Sequence, residues 1–174
     1  MDALQTKIAV NVQNLDQSRY KEQLSDNIAE LPDATGCDAA FLVLFSNDFS
    51  SIDTVLASSN VFSSCNAEPL TGEQLSNWPW LCQRLGHLKI IEINDTAAGP
   101  TEAREEFGRF AELGIGSALI IGFSVRNDVA GFLALANEHP TKQPSADLHL
   151  LMKLIGTSLA SGLERMRSAD LLYE

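Results

Sequence analysis

Between Glu112 and Arg165 the chain leaves itself little architectural choice. A helix end at Leu113-Gly114 is followed by an apolar strand, Ser117–Val125, a polar turn, Arg126-Asn127-Asp128, a second apolar strand, Val129–Ala136, and a long amphipathic helix. A lone hairpin is at best marginally stable in water, so it needs further strands or a helix packed on its apolar face. The helix that follows can supply that cover. The arrangement predicts a sheet closed on one side by a helix, the frame of a small ligand-binding or sensing module, and no catalytic constellation competes with it.

The remaining elements fit around that unit. Leu4, Ile8, Val12 and Leu15 recur at helical spacing, and Leu24, Ile28 and Leu31 repeat the pattern up to Pro32, which predicts one helix or two with the proline as terminator. Pro32–Asp38 reads as a turn, and Ala39–Ser46 as a strand apolar enough to be covered on both faces. After the turn Asn47-Asp48-Phe49-Ser50-Ser51, a second strand over Ile52–Ser58 completes a hairpin. Small polar residues surround Val61 and Phe62. Beyond Pro69, Thr71 is expected to cap a short helix over Glu73–Leu85, which Pro79 should break between Trp78 and Trp80. Leu88–Ile93 alternates like a half-buried strand. Asn94–Pro100 is a loop, and Thr101 opens a helix with Ala103, Phe107, Phe110, Ala111 and Leu113 on one side, ended by Gly114. The last helix is expected after Pro144, capped by Ser145, with Leu148, Leu151, Met152, Ile155, Leu159, Leu163 and Met166 as its stripe.

Length and charge exclude several classes. A chain of 174 residues is most economically one domain, whose core hides roughly 70% of the unfolded surface. A net charge of −11 weighs against nucleic acid and anionic membranes as partners, since both are bound through Lys and Arg clusters. No run approaches a membrane span and the first twenty residues do not form a signal peptide, which points to the cytoplasm. Cys37, Cys65 and Cys82 are too widely spaced for a disulfide framework or a paired-Cys zinc site, and His87, His139 and His149 add no ligand spacing. Free thiols and no metal site are expected.

Motifs in order add a resemblance. Trp78-Pro79-Trp80-Leu81, Gly86-His87-Leu88-Lys89-Ile90-Ile91, Glu102-Ala103-Arg104-Glu105-Glu106, Gly114-Ile115-Gly116-Ser117-Ala118-Leu119-Ile120-Ile121 and Ala130-Gly131-Phe132-Leu133-Ala134-Leu135 together resemble the GAF domains of bacterial signalling proteins, over about residues 22–166. The resemblance implies an α/β (α+β), GAF-like (profilin-like) domain: a central antiparallel sheet of five or six strands, helices on both faces, and long N- and C-terminal helices. On this reading residues 1–174 form a single domain, with residues 1–21 as an N-terminal helix and 167–174 as the start of a linker helix to an output domain. It further implies a cytoplasmic regulatory input module, not an enzyme, that senses a small molecule and relays its state through the terminal helices. The parent would be a histidine kinase, a diguanylate cyclase or phosphodiesterase, or a transcriptional regulator. The rivals are a ligand-free dimerisation spacer and, more remotely, a thiol-based methionine sulfoxide reductase.

Departures from the family pattern narrow the ligand without naming a cofactor. Bilin-binding members attach pigment to a cysteine commonly followed by His, whereas Asp38, Asn66 and Gln83 follow the cysteines here, which argues against a covalent bilin. Of the cyclic-nucleotide signature Asn-Lys-x-Phe-x-Asp-Glu only Asn137 and Asp147 match, which argues against cyclic nucleotides. Where the family often has Pro, Gly122 follows Ile121. The implied pocket lies on the sheet face opposite the terminal helices, with Phe41, Val43, Thr54, Trp78, Trp80, Ile91, Phe107, Phe110, Ile120, Gly122, Ser124, Phe132 and Ala134 as candidate lining. Thr54 and Ser124 would orient a ligand, and the indoles of Trp78 and Trp80 would offer apolar area with one donor each. Arg104 and Arg109 are expected to make ion pairs on their helix surface, among Glu102, Glu105, Glu106 and Glu112. If the Leu4–Leu31 and Leu148–Met166 stripes lie together, a homodimer through the terminal helices is expected.

Overall fold

The computed structural model describes residues 19–59, 65–86, 89–141 and 146–173; for residues 59 and 167–173 it describes the backbone alone. The apolar runs pair as one five-stranded antiparallel sheet in the order β2-β1-β5-β4-β3, with β1 at Ala39–Phe45, β2 at Ile52–Ser59, β3 at Ile90–Ile93, β4 at Ser117–Val125 and β5 at Asp128–Asn137. The hairpin predicted first is present: β4 and β5 pair from Ser117↔Asn137 to Val125↔Asp128. Its two-residue turn places Arg126 at φ 55° and Asn127 at φ 70°, the left-handed pair that matches the right-handed twist of the strands.

Because side chains alternate across a strand, the sheet sorts its residues into two layers. Ala40, Leu42, Leu44, Leu119, Ile121, Phe123, Leu133 and Leu135 face one side, where α1 (Tyr20–Ile28), α2 (Leu31–Thr35) and α5 (Ala146–Tyr173) pack through Leu24, Ile28, Leu31, Leu151, Met152, Ile155, Leu159 and Leu163. Each fully buried Leu or Ile of this layer is worth about 1.5–3 kcal/mol. Ala39, Phe41, Val43, Phe45, Ile120, Phe132 and Ala134 face the other side, under a roof formed by the segment after β2, by α3 (Pro79–Arg84) and by α4 (Arg104–Glu112). Gly131 is fixed by close approach, because a Cβ there would stand 2.0 Å from the Val43 carbonyl oxygen.

Several sequence expectations are corrected. Pro32 does not end a helix; α1 ends at Ile28, and Pro32 sits in the first turn of α2. Thr71 closes a short 3-10 turn, Glu68–Leu70, instead of capping a helix. Pro79 does not break a helix over Glu73–Leu85: a 3-10 turn at Leu75–Asn77 is followed by α3, which begins at Pro79. Proline lacks an N–H that the first helical residue does not need, so the residue read as a breaker is a starter. β1 stops at Phe45 and β3 begins at Ile90. The Leu4–Leu15 stripe, Val61, Phe62, His87, Leu88 and the Ser145 cap lie outside the described residues.

Candidate functional site

The roof is stitched to the β1–β2 hairpin by main-chain bonds. Ile52 N–H donates to Glu73 O at 2.8 Å, Gly72 N–H to Ile52 O at 2.8 Å and Leu75 N–H to Ser50 O at 2.9 Å. Beneath this strap the aromatic side chains pack on one another. The Trp78 and Phe110 ring centroids are 5.0 Å apart, and Trp80 meets Phe107 edge-on at 5.1 Å. The Trp78 Nε1–H donates to Glu73 Oε2 at 3.1 Å, and Arg109 stacks 5.4 Å over the Trp78 ring while its Nη1 lies 3.6 Å from the same carboxylate oxygen. Arg109 therefore pairs across the roof and not along its own helix. Arg84 caps Trp80 from outside at 4.3 Å.

Glu106 of α4 is almost completely buried, and its two oxygens accept the Trp80 N–H at 2.8 Å and the Leu81 N–H at 2.9 Å. These are free donors of the first turn of α3, so one carboxylate from α4 finishes the start of α3 and locks the two roof helices together. The indole Nε1 of Trp80 is buried with no hydrogen-bond partner.

The void that the described residues enclose under the roof is small. The void lined by Phe45, Ile52, Leu70, Leu75, Trp78, Leu81, Cys82, Phe110 and Phe132 measures about 10 Å³ and is entirely apolar, less than a bound metabolite needs. Outside it, where the β1–β2 and β4–β5 hairpins meet α3, lies an open cleft of about 310 Å³ lined by Phe45, Phe49, Leu75, Cys82, Leu85, Asp128 and Val129. A smaller cleft of about 130 Å³, on the side of the terminal helices, is lined by Thr35, Cys37, Asn94, Ser117, Asn137, Thr141 and Leu148 among others.

Of the residues expected to line a pocket, Trp78, Phe110 and Phe132 bound the small void. Phe41, Val43, Trp80, Ile91, Phe107, Ile120 and Ala134 are buried in the roof-side core and line none of these three spaces. Gly122 also faces the roof, where a Cβ would come within 2.8 Å of the Gly86 carbonyl oxygen. Ser124 pairs with Val129 beside a bulge at the hairpin end. Thr54 is placed on the wrong face by the sequence reading: it pairs with Leu44 of the helix-side layer, so it points away from the roof, and its hydroxyl donates to Asp53 Oδ2 at 2.8 Å. The cleft residues Phe45, Phe49, Leu75, Leu85 and Val129 were not singled out. Phe49 carried a signal, an aromatic side chain in an otherwise polar turn.

All three cysteines are thiols outside any disulfide. Burial pushes the Cys37 and Cys82 thiols above their ordinary value, and for Cys82 the Glu106 charge adds to it, which is the reverse of the thiolate stabilisation that a thiol reductase requires. Among the described residues, no group of His, Cys, Asp and Glu side chains is arranged to hold a metal ion, and no helix is long and apolar enough to cross a membrane.

No protein-family model matches the sequence, and no curated protein does either. Solved structures do. The phycocyanobilin-bound GAF domain from a cyanobacterial phytochrome superposes with a TM-score of 0.73 at 16% identity, over 97% of this chain and 96% of that one. A domain from a protein described as a putative two-component sensor histidine kinase of Sinorhizobium meliloti gives 0.63 at 14% identity, over 88% and 97%. The chromophore-binding domain of a bacteriophytochrome from R. palustris gives 0.69 at 14% identity, over 96% of this chain and 62% of that one.

Proposed function

We propose that this chain, whose fold is that of a GAF domain, is a regulatory signalling module whose input is a small molecule bound in the cleft beside the roof. The observation that carries the reading is the cleft itself: its volume of about 310 Å³ falls at the small end of ligand sites, which run from about 300 to 1,000 Å³, and its described lining is mostly apolar side chains with one carboxylate and one thiol. The neighbours in fold come from phytochromes and a sensor kinase, which supports a sensory role. The cleft also sits one residue from the helix layer. Phe45 and Val129 line it, while the adjacent Leu44 and Ala130 pack in the layer beneath α5. A ligand that favours one packing at the hairpin ends can thus bias α5, and through it a following domain. The role is regulatory, not catalytic.

The test is thermal unfolding of the full chain against a panel of small apolar and amphiphilic compounds. A true ligand at 100 times its dissociation constant adds about 2.7 kcal/mol, a rise of roughly 5–10 °C for a domain of this size. A panel without a single stabilising compound removes the sensing reading.

A second reading, a ligand-free dimerisation spacer, is favoured by the self-filled space beneath Trp78 and Phe110. It expects a silent panel together with a light-scattering mass of twice the 18.9 kDa chain.

A further inference from the structure

The turn between β1 and β2 holds a strained residue in place. Phe49 has φ 58°, a left-handed conformation that costs a bulky side chain of order 1–3 kcal/mol and persists only where the surroundings impose it. Here they do. The Ser46 and Ser50 hydroxyls donate to Asp48 Oδ1 at 2.6 and 2.7 Å, the Ser50 and Ser51 N–H groups donate to Ser46 Oγ at 3.2 and 3.1 Å, and the Phe49 N–H donates to Ser46 O at 2.9 Å. The network leaves the Phe49 ring 38% exposed, one of two large apolar side chains so exposed among the described residues, and puts it on the rim of the 310 Å³ cleft. Both hairpins at the cleft carry a register shift there: Asp53 of β2 is the extra residue opposite Leu44 and Phe45, and Ala130 of β5 is the extra residue opposite Phe123 and Ser124. Bulges re-aim side chains and are common beside binding sites. A strained, exposed aromatic and two bulges converge on one opening.

The lining also has a sign. Among the described residues that line it, Asp128 is the only charged one and there is no Lys or Arg; the nearest cation in sequence, Arg126, belongs to the hairpin turn. Two aromatic rings, Phe45 and Phe49, line the same space, and ring faces attract cations. Asp48, beside Phe49, keeps its carboxylate charged through its serine donors, and the whole chain carries −11. An anionic ligand would meet no positive charge among the described residues that line the cleft, and a neutral one could give Asp128 a hydrogen bond but would leave its charge uncompensated.

We propose that the cleft takes a small organic cation, an aryl or alkyl group bearing a protonated amine, with the apolar part against Phe45, Leu75, Leu85 and Val129 and the ammonium between Asp128 and the Phe49 ring. This rests on the reading of the cleft as the input site, and it names the class of input.

The experiment is isothermal titration calorimetry of the full chain with 2-phenylethylamine and its uncharged analogue 2-phenylethanol, on wild type, Asp128→Asn and Phe49→Gly. A carboxylate and a cation–π contact at a half-exposed site together give about a five- to tenfold preference for the amine. That preference is expected in the wild type, to fall towards one in Asp128→Asn, and to shrink as salt rises. Phe49→Gly is expected to weaken amine binding while leaving Tm unchanged or raised, because glycine removes the backbone strain. Equal binding of amine and alcohol, unaffected by Asp128→Asn, overturns the cationic class while the apolar cleft survives as a site. Binding of neither, together with a silent panel in thermal unfolding, overturns the cleft as the input and this inference with it.

Discussion

Glu106 shows how much a single side chain can organise. Its position in a Glu-rich stretch gives no hint of burial, and the sequence reading grouped it with surface ion pairs; the structure makes it the acceptor for two N–H groups of α3. Glu106→Gln should leave one of those donors facing an amide NH₂ in a dry site. The cost of an unsatisfied buried group is about 1–3 kcal/mol, so the urea midpoint should drop accordingly with the m-value unchanged. No change would mean that water replaces the lost acceptor. Asp48 gives a prediction of opposite exposure. Hydrogen bonds from Ser46 and then Ser50 hold its carboxyl below the usual value of 3.8, so the folded chain favours the anion. The stabilisation is complete above that value and is lost as pH falls through the lower, folded one. An acid titration followed by NMR should move the Ser50 amide with a midpoint below 3.8; a midpoint at or above it contradicts the network around Phe49. Such roles depend on which groups meet in space, and for that reason neither residue could be read from spacing.

Elements were more legible than residues, and unevenly so. The β4–β5 hairpin was read nearly residue for residue because alternation, a polar turn and length agreed. The roof was misread because its turns are short and proline is ambiguous: the same Pro79 that interrupts a helical pattern also suits the first position of a new helix. A one-dimensional pattern carries no volume, so it could not show that Trp78, Trp80, Phe107 and Phe110 pack together in the roof-side core, with a void of only about 10 Å³ beside Trp78 and Phe110. Two glycines test the element packing in opposite directions. Gly131→Ala forces a methyl against the Val43 carbonyl, and overpacking there should cost about 1–3 kcal/mol or more. Gly108, exposed inside α4, has nothing within 4 Å of the point where an added methyl would sit, so Gly108→Ala should add about 0.5–1 kcal/mol through helix propensity alone. Thermal or urea unfolding of both variants decides it; equal effects would mean that the β1–β5 spacing is softer than the close approach implies.

At the scale of the whole molecule the sheet separates two layers that share strands. The roof side carries the cleft, and the other side carries α5, which spans 28 residues and packs Leu151, Ile155 and Leu159 against Leu119, Ile121 and Phe123 of the sheet. On α5, His149 Nε2 also lies 2.6 Å from Glu92 Oε1 of β3, the edge strand. A packed interface of this kind has discrete arrangements and does not deform smoothly, so a small change at the hairpin ends either leaves α5 alone or shifts its population between states. Only differential affinity moves that population; a ligand that binds both states equally moves nothing. Hydrogen–deuterium exchange separates the cases. If the module relays its input, saturating the cleft should change amide protection along α5 between Leu148 and Leu163, none of which lines it, as well as in the Ser46–Ser51 turn. Protection that rises only in the turn and at Asp128 and Val129 would show binding without coupling, and the domain would then be a receptor whose occupancy is read by some route other than its longest helix.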